Sequence, residues 1–332
     1  MHAGRHYTLK EVFFWTLRES VVFTALGALP PLLVLGGVPP PELAWPPVAL
    51  LGTAVAFMTG FKSNAAYNRA WEARQIWGGI VNVSRAWANQ VNQFVTLKGD
   101  EGERTKRTLL LRHVGWLAAL RFQLRESRVW ESQSLPHNRA YQARTFRVPE
   151  LTDKLDVELG KYLSQEEVQV LLPMKNRAVL VLGMQSRTIA ELAATGSLTE
   201  LRHIEMERTV AQLLDLMGRC ERIKNYPYPR QFATINLFFV WSFVLMLPFA
   251  LLSFFDDLGP GLIWLNVPFT LSIAWVLHTM DKISEATENP FEGGANDVPI
   301  SAMSRSIEID LRELGKLGDV PAPLTPDNNI LM

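Results

Sequence analysis

No turn signal separates the apolar stretch that opens at Leu50 from the charged stretch that follows Phe61, and this limits the chain to folds in which one helix serves two surroundings. The segment reads LLGTAVAFMTGFKSNAAYNRAWEARQIW, from Leu50 to Trp77. It carries no charge up to Phe61; beyond that Lys62, Asn64, Asn68, Arg69, Glu72 and Arg74 enter, while helical spacing persists through Tyr67, Trp71 and Ile76. The pattern predicts a helix that leaves a bilayer and continues into water.

Within the apolar part, Thr53, Phe57 and Phe61 recur at every fourth position and share one helix face. Gly52, Ala54, Ala56 and Gly60 supply the small side chains that let membrane helices approach closely. Were several copies to surround an axis with that face inward, Thr53 would form a polar ring and the phenylalanines hydrophobic rings, the chemistry by which a narrow pore gates through dewetting. The plainer reading is that Phe57 and Phe61 pack against lipid or a neighbouring helix. Spacing leaves both open.

The 332 residues carry 33 basic and 33 acidic side chains. Such a balance, without a basic tract interleaved with aromatics, speaks against a nucleic-acid binder. Mean hydropathy is only +0.06, an average over nearly uncharged runs and a middle dense in Arg and Glu. A membrane part and a soluble part are therefore expected. The one cysteine, Cys220, precludes an intrachain disulfide or a Cys-based metal cluster and reads as a packed free thiol. MHAGRHYTLKEVFFW lacks a signal-peptide pattern, so the first apolar segment is expected to remain in the protein.

In chain order, residues 1–20 read as an amphipathic segment at the membrane surface and 21–81 as the first two transmembrane helices. The first is expected over 21–38, broken or kinked at Pro30 and Pro31, and the second from Ala44 or Trp45 to Phe61. Residues 82–230 form a cytosolic helical domain, with a capping-box start at Ser164 and Glu167 and a break at Gly196 and Ser197 before a helix at about Thr199. The run over 125–153 shows no clear period and reads as loop-rich. Residues 231–281 return two spans, 232–255 and 262–280, joined by a turn at Asp256, Asp257, Gly259 and Pro260. A cytosolic tail occupies 282–332, with a helix from about Ile300 and an irregular end from Asp319. Bases beside the first and second spans place those flanks inside and the PPP loop outside. The expectation is four spans in the cell (inner) membrane with both termini cytoplasmic.

Three stretches resemble the bestrophin family of ion channels, and more narrowly its bacterial branch: GFKSNAAYNRAWEARQIWGG, YPYPR, and ENPFEGGANDVPISAMSRSIEIDL. The resemblance implies an all-α membrane protein, a homopentamer around one axial pore, with four membrane helices per subunit and a helical cytosolic vestibule. It implies a pore neck lined by Thr53, Phe57 and Phe61, the face that periodicity had isolated. It also implies a cytosolic aperture sixteen residues before Cys220, at Ile204, between His203 and Glu205; the alternative for Ile204 is a core position of an amphipathic helix. Thr53 departs from the aliphatic residue common at the top of the neck and would make that ring wetter.

Animal members bind calcium through a run of acids after NPF, whereas this chain has only Glu292 and Asp297 there, too few oxygen ligands for a strong site. No metal and no cofactor is therefore expected, and Asn296 and Asp297 read as loop caps before the helix at Pro299. The permeating species are small monovalent ions, with anions slightly favoured. Lys62 and Arg69 would favour anions if they faced the pore; Glu42, Glu200, Glu205 and Glu207 would favour cations. A membrane-anchored helical adaptor remains the reading from another class. An enzyme would need a convergent acid/base or metal constellation, and His113, His137, His203 and His278 are scattered without ligand spacing.

Overall fold

The computed structural model describes residues 1–332 except 135, 257, 258 and 260, and the side chains of 134, 136 and 137 are not described either. The outer turn expected at Asp256 to Pro260 thus falls partly outside the described residues, at Asp257 and Pro260, as does the side chain of His137. Among the described residues the regular structure is helical. In order the helices are α1 (Leu9–Leu35), α2 (Trp45–Phe94), α3 (Gly99–Arg125), α4 (Pro136–Thr145), α5 (Pro149–Thr152), α6 (Leu155–Leu159), α7 (Gln165–Leu171), α8 (Arg177–Ala194), α9 (Glu200–Asn225), α10 (Arg230–Asp256), α11 (Asn266–Glu285) and α12 (Ile300–Leu314).

The chain divides into two units. One comprises Gly4–Asn68 and Pro227–Glu288, the other Met1–Ala3, Arg69–Tyr226 and Asn289–Met332. Helix α2 contributes to both without interruption, running past residue 81 to Phe94. Its start is set by Pro46 and Pro47, which fit a first turn whose N–H groups have no partner in the helix.

In the apolar unit α1 packs on α10 and α11. The core is Phe23, Val48, Val55, Phe243, Val244 and Leu247 with their neighbours. Among the described residues three helical stretches are long and apolar enough to cross a membrane: Leu9–Leu35, Arg230–Asp256 and Leu262–Glu285. The apolar half of α2 is not among them, because its run closes at Lys62 and opens on a Trp-Pro-Pro sequence. A 3-10 turn at Leu262–Leu265 leads into α11.

The expected start of α1 is corrected, and of the break or kink expected at Pro30 and Pro31 the break does not occur. The helix begins at Leu9, not at residue 21, because Thr8 and Glu11 form a capping box that starts it ahead of the apolar run. It also passes through Pro30 and Pro31 to Leu35 without ending. Pro31 has no N–H to give the Gly27 carbonyl four residues back. Asn266 of α11 supplies that donor at 2.9 Å. Gly27 permits the approach, since a Cβ there would lie 3.0 Å from the Val267 Cα.

In the charged unit α3 is the central helix, packed by α8, α9, α12 and the short α5 and α6. Trp77, Trp87 and Trp116 are fully buried in its core. The capping box at Ser164 and Glu167 is present, and Gly196 takes φ 75° just before the N-cap Thr199, as the sequence predicts. The loop-rich 125–153 run contains α4 and α5, helices too short for a hydrophobic period to show. Asp297 caps the loop that precedes α12, as expected, while the N-cap of the helix itself is Pro299 with no side-chain hydrogen bond. It is 2 % exposed, accepts from the Gly293 N–H at 2.7 Å and pairs with Arg125 at 2.8 Å, because Arg125 is the cation brought beside it.

Candidate functional site

The apolar half of α2 has one covered and one uncovered side. Val48, Val55 and Thr59 are buried among α10 and α11 neighbours, and Gly52 meets the Phe243 ring so closely that a Cβ would sit 2.6 Å from it. On the other side Phe57 is 66 % and Phe61 58 % exposed, while Gly60 has nothing within 4 Å of where a Cβ would be. Large aromatic side chains left bare on an uncharged stretch of helix mark a surface that other molecules, lipid or protein, complete. The two rings pack edge to face, with centroids 4.5 Å apart and planes at 87°.

Thr53 lies on the same exposed face. Its hydroxyl donates to the Ala49 carbonyl of its own helix at 3.0 Å, so the donor is spent internally. The stripe of exposed α2 residues continues through Tyr67 (60 %) and Trp71 (49 %), and their helical spacing is the signal already present in the sequence.

Lys62 adjoins Phe61 in sequence but not in environment. It is 5 % exposed and donates to Asp281 of α11 across 2.7 Å, so its charge is turned into the bundle and away from the uncovered face. Asn236 of α10 donates to the same Asp281 oxygen at 2.7 Å. Asp281 is thus the buried partner of Lys62, and Asn236 is a second donor to that carboxylate. The available signal was the rarity of an unpaired Asn or Asp in so apolar a run.

Arg69 donates to the Ile223 and Tyr226 carbonyls at 2.9 and 2.8 Å, which satisfies the C-terminal end of α9. On α9, Ile204 is 44 % exposed. Glu205 beside it accepts from Arg208 at 2.5 Å, and His203 lies 3.7 Å from Glu207. Glu42 and Glu200 are exposed. Ile204 is open at the surface of its unit, and Glu205 and Glu207 just after it face Arg208 and His203 respectively.

Elsewhere the titratable groups are spent on structure. His113 is fully buried, takes Ser84 as its partner at 2.8 Å, and burial brings its pKa down to about 3. Cys220 is buried and its thiol is pushed up by desolvation, which makes it a poor nucleophile. Glu292 accepts from Ser132 at 2.5 Å; burial, then the neighbouring Asp297 charge, push its carboxyl well above the ordinary range.

Compared with known proteins, residues 9–313 match the family model described as Bacterial/Fungal Bestrophin protein. The chain is 26% identical over 319 residues to the voltage-dependent anion channel-forming protein YneE of Salmonella typhi, covering 96% of this chain and 91% of that one. It is 27% identical over 284 residues to the voltage-dependent anion channel-forming protein RSc3414 of Ralstonia nicotianae, with 85% and 81% covered. Among solved structures, a bacterial bestrophin homolog from Klebsiella pneumoniae superposes with a TM-score of 0.73 at 23% identity, covering 92% of this chain and 98% of that one. That likeness extends to the fold.

Proposed function

The chain belongs to the bacterial and fungal bestrophin family, and from that premise we propose that it is a passive channel for small monovalent ions, anions favoured, with a hydrophobic constriction at Phe57 and Phe61. The observation that carries the reading is the pair of bare aromatic rings on the uncovered side of α2. In a ring of copies that side faces an axis, where closely spaced aromatic layers exclude water and hold the path shut. We assign four spans, the fourth being the apolar half of α2, with both termini cytoplasmic in the inner membrane, and a homopentamer as the assembly.

Thr53 forms the outer layer, and with its donor bonded to Ala49 it offers its methyl group and an oxygen. Ile204 is assigned to a second, cytosolic constriction, with Glu205 as the charge beside it. Lys62 is assigned to the wall, since Asp281 neutralises it. Anions are favoured on the names of the two relatives described above, both voltage-dependent anion channel-forming proteins. A cation-selective channel and a membrane-anchored adaptor are the competing readings.

The deciding experiment is the reversal potential of purified protein in planar bilayers under a KCl gradient, for the wild type and Phe57→Ala/Phe61→Ala. Truncating both rings is expected to raise the current about tenfold, equivalent to roughly 1.4 kcal/mol off the barrier. The sign of the reversal potential separates anion from cation. Silence of both proteins with the oligomer intact sinks the channel reading in favour of the adaptor.

A further inference from the structure

Opposite the uncovered face of α2 sits a knot of polar side chains inside the apolar unit. Counting about 100° per residue from Phe57, Thr53 and Phe61 lie within roughly 40° on either side. Lys62, Thr59 and Ser63 lie at roughly 140°, 200° and 240° by the same count, which is the far side of the helix. Lys62 pairs with Asp281 at 2.7 Å, Asn236 donates to the same carboxylate oxygen at 2.7 Å, and Thr59 donates to Asn236 at 3.4 Å. Ser63 and Ser284 are 2.6 Å apart; Ser284 donates to the Met280 carbonyl, so Ser63 is the donor to Ser284. Thr59, Lys62, Asn236 and Asp281 are each at most 5 % exposed. Three helices, α2, α10 and α11, meet in these bonds.

A buried ion pair is an expensive way to hold helices together, because both charges lose their hydration and an apolar pair of equal volume often serves as well. What the pair adds is angular definition. The apolar seam of Val48, Val55 and Phe243 makes non-directional contacts and tolerates a small turn of α2. The Lys62–Asp281 contact does not, since a turn by one residue position carries the ammonium out of hydrogen-bond range and leaves Asp281 charged in an apolar core.

We infer that Lys62 and Asp281, with Asn236 as the second donor, are positioning residues that fix the rotation of α2 and thereby decide which side chains its uncovered face presents. They act on ion flow through Phe57 and Phe61 and touch no ion themselves. The inference rests on the channel reading for its consequence, and on the geometry of one unit for its premise.

The test uses the full chain with two readouts: unitary conductance in planar bilayers, and the rate at which Thr53→Cys reacts with a charged methanethiosulfonate. Buried Cys220 does not compete for the reagent. In folded Lys62→Met, both quantities are expected to shift at least about threefold. The exchange Lys62→Asp with Asp281→Lys is expected to return both toward wild type, and Lys282→Met, which loses the contact to Glu19 instead, is expected to leave them unchanged. Unaltered conductance and labelling in Lys62→Met, with only the yield of protein reduced, would overturn the inference. Where Lys62→Met fails to fold, Asp281→Asn takes its place, and an exchanged pair that folds yet labels differently from wild type overturns it as well. Labelling needs no current, so a silent wild type refutes the channel while the rotation of α2 is still read.

Discussion

Asn266 donates to the carbonyl of Gly27 across 2.9 Å, and that carbonyl is the one Pro31 leaves without a donor in α1. Both residues are buried. Asn266→Leu is expected to cost roughly 1–3 kcal/mol, the penalty of an orphaned buried acceptor. A thermal melt of the detergent-purified protein reads it. Pro31→Ala in the Asn266→Leu background restores a donor within the helix and is expected to recover part of the loss; no recovery would place the cost elsewhere.

Arg125 and Asp297 make a second such dependency in the charged unit, where both side chains are almost entirely withdrawn from solvent. Arg125→Met strands the Asp297 carboxylate, whereas Glu150 keeps Arg121 and Ser301, and is expected to destabilise by roughly 3–5 kcal/mol. Arg125→Met combined with Asp297→Asn should cost less than the sum of the two single changes. Strict additivity in the double-mutant cycle would deny the pairing.

His113 gives the charged unit a defined acid response. Its folded pKa is brought from 6.5 down to about 3 by burial, so the folded state resists a proton that the unfolded chain accepts. The contribution is present above pH 6.5 and is lost as pH falls toward about 3, at roughly 1.4 kcal/mol per pH unit for one proton. Denaturant melts between pH 7 and 4 are expected to show that slope in the wild type and a flatter one in His113→Gln. Equal slopes would assign the acid response to other groups.

Glu292 responds in the opposite sense. Burial raises its pKa well above the ordinary 4.5, so its stability contribution is complete below that value and is lost as pH rises through the raised one. Replacing it with Gln removes the ionisable group and keeps an acceptor for Ser132. The gain in melting temperature of Glu292→Gln over wild type is therefore expected to be larger at pH 8 than at pH 5. A gain that is constant or falls with pH would show that the carboxyl is not held protonated.

Local signals carried much of this fold. The unbroken α2, the Ser164–Glu167 cap, the break at Gly196 and the start of α12 all follow from spacing and capping chemistry within a few residues. Thr8 and Glu11 form the same kind of cap, but it stands well before the apolar run, and hydropathy alone placed the first helix too late. The exposed side of α2 was legible because Thr53, Phe57 and Phe61 repeat with the helix. The covered side was not, since Lys62 finds Asp281 far along the chain and no local pattern selects one acid among many. Asp297 was legible as a loop cap, which its bond from the Gly293 N–H makes it, but its pairing with Arg125 was not, since that cation arrives from α3. The hydroxyl of Thr53 is a rotamer choice, invisible to any count of polar residues.

The edge-on contact of Phe57 and Phe61 has a mechanical consequence. With the rim of one ring set against the face of the other at 87°, a swing of either about χ1 gives up the contact the two share. Under the proposed channel reading the two layers are therefore coupled: moving the ring at one turn of the helix gives up the contact that steadies the ring at the next.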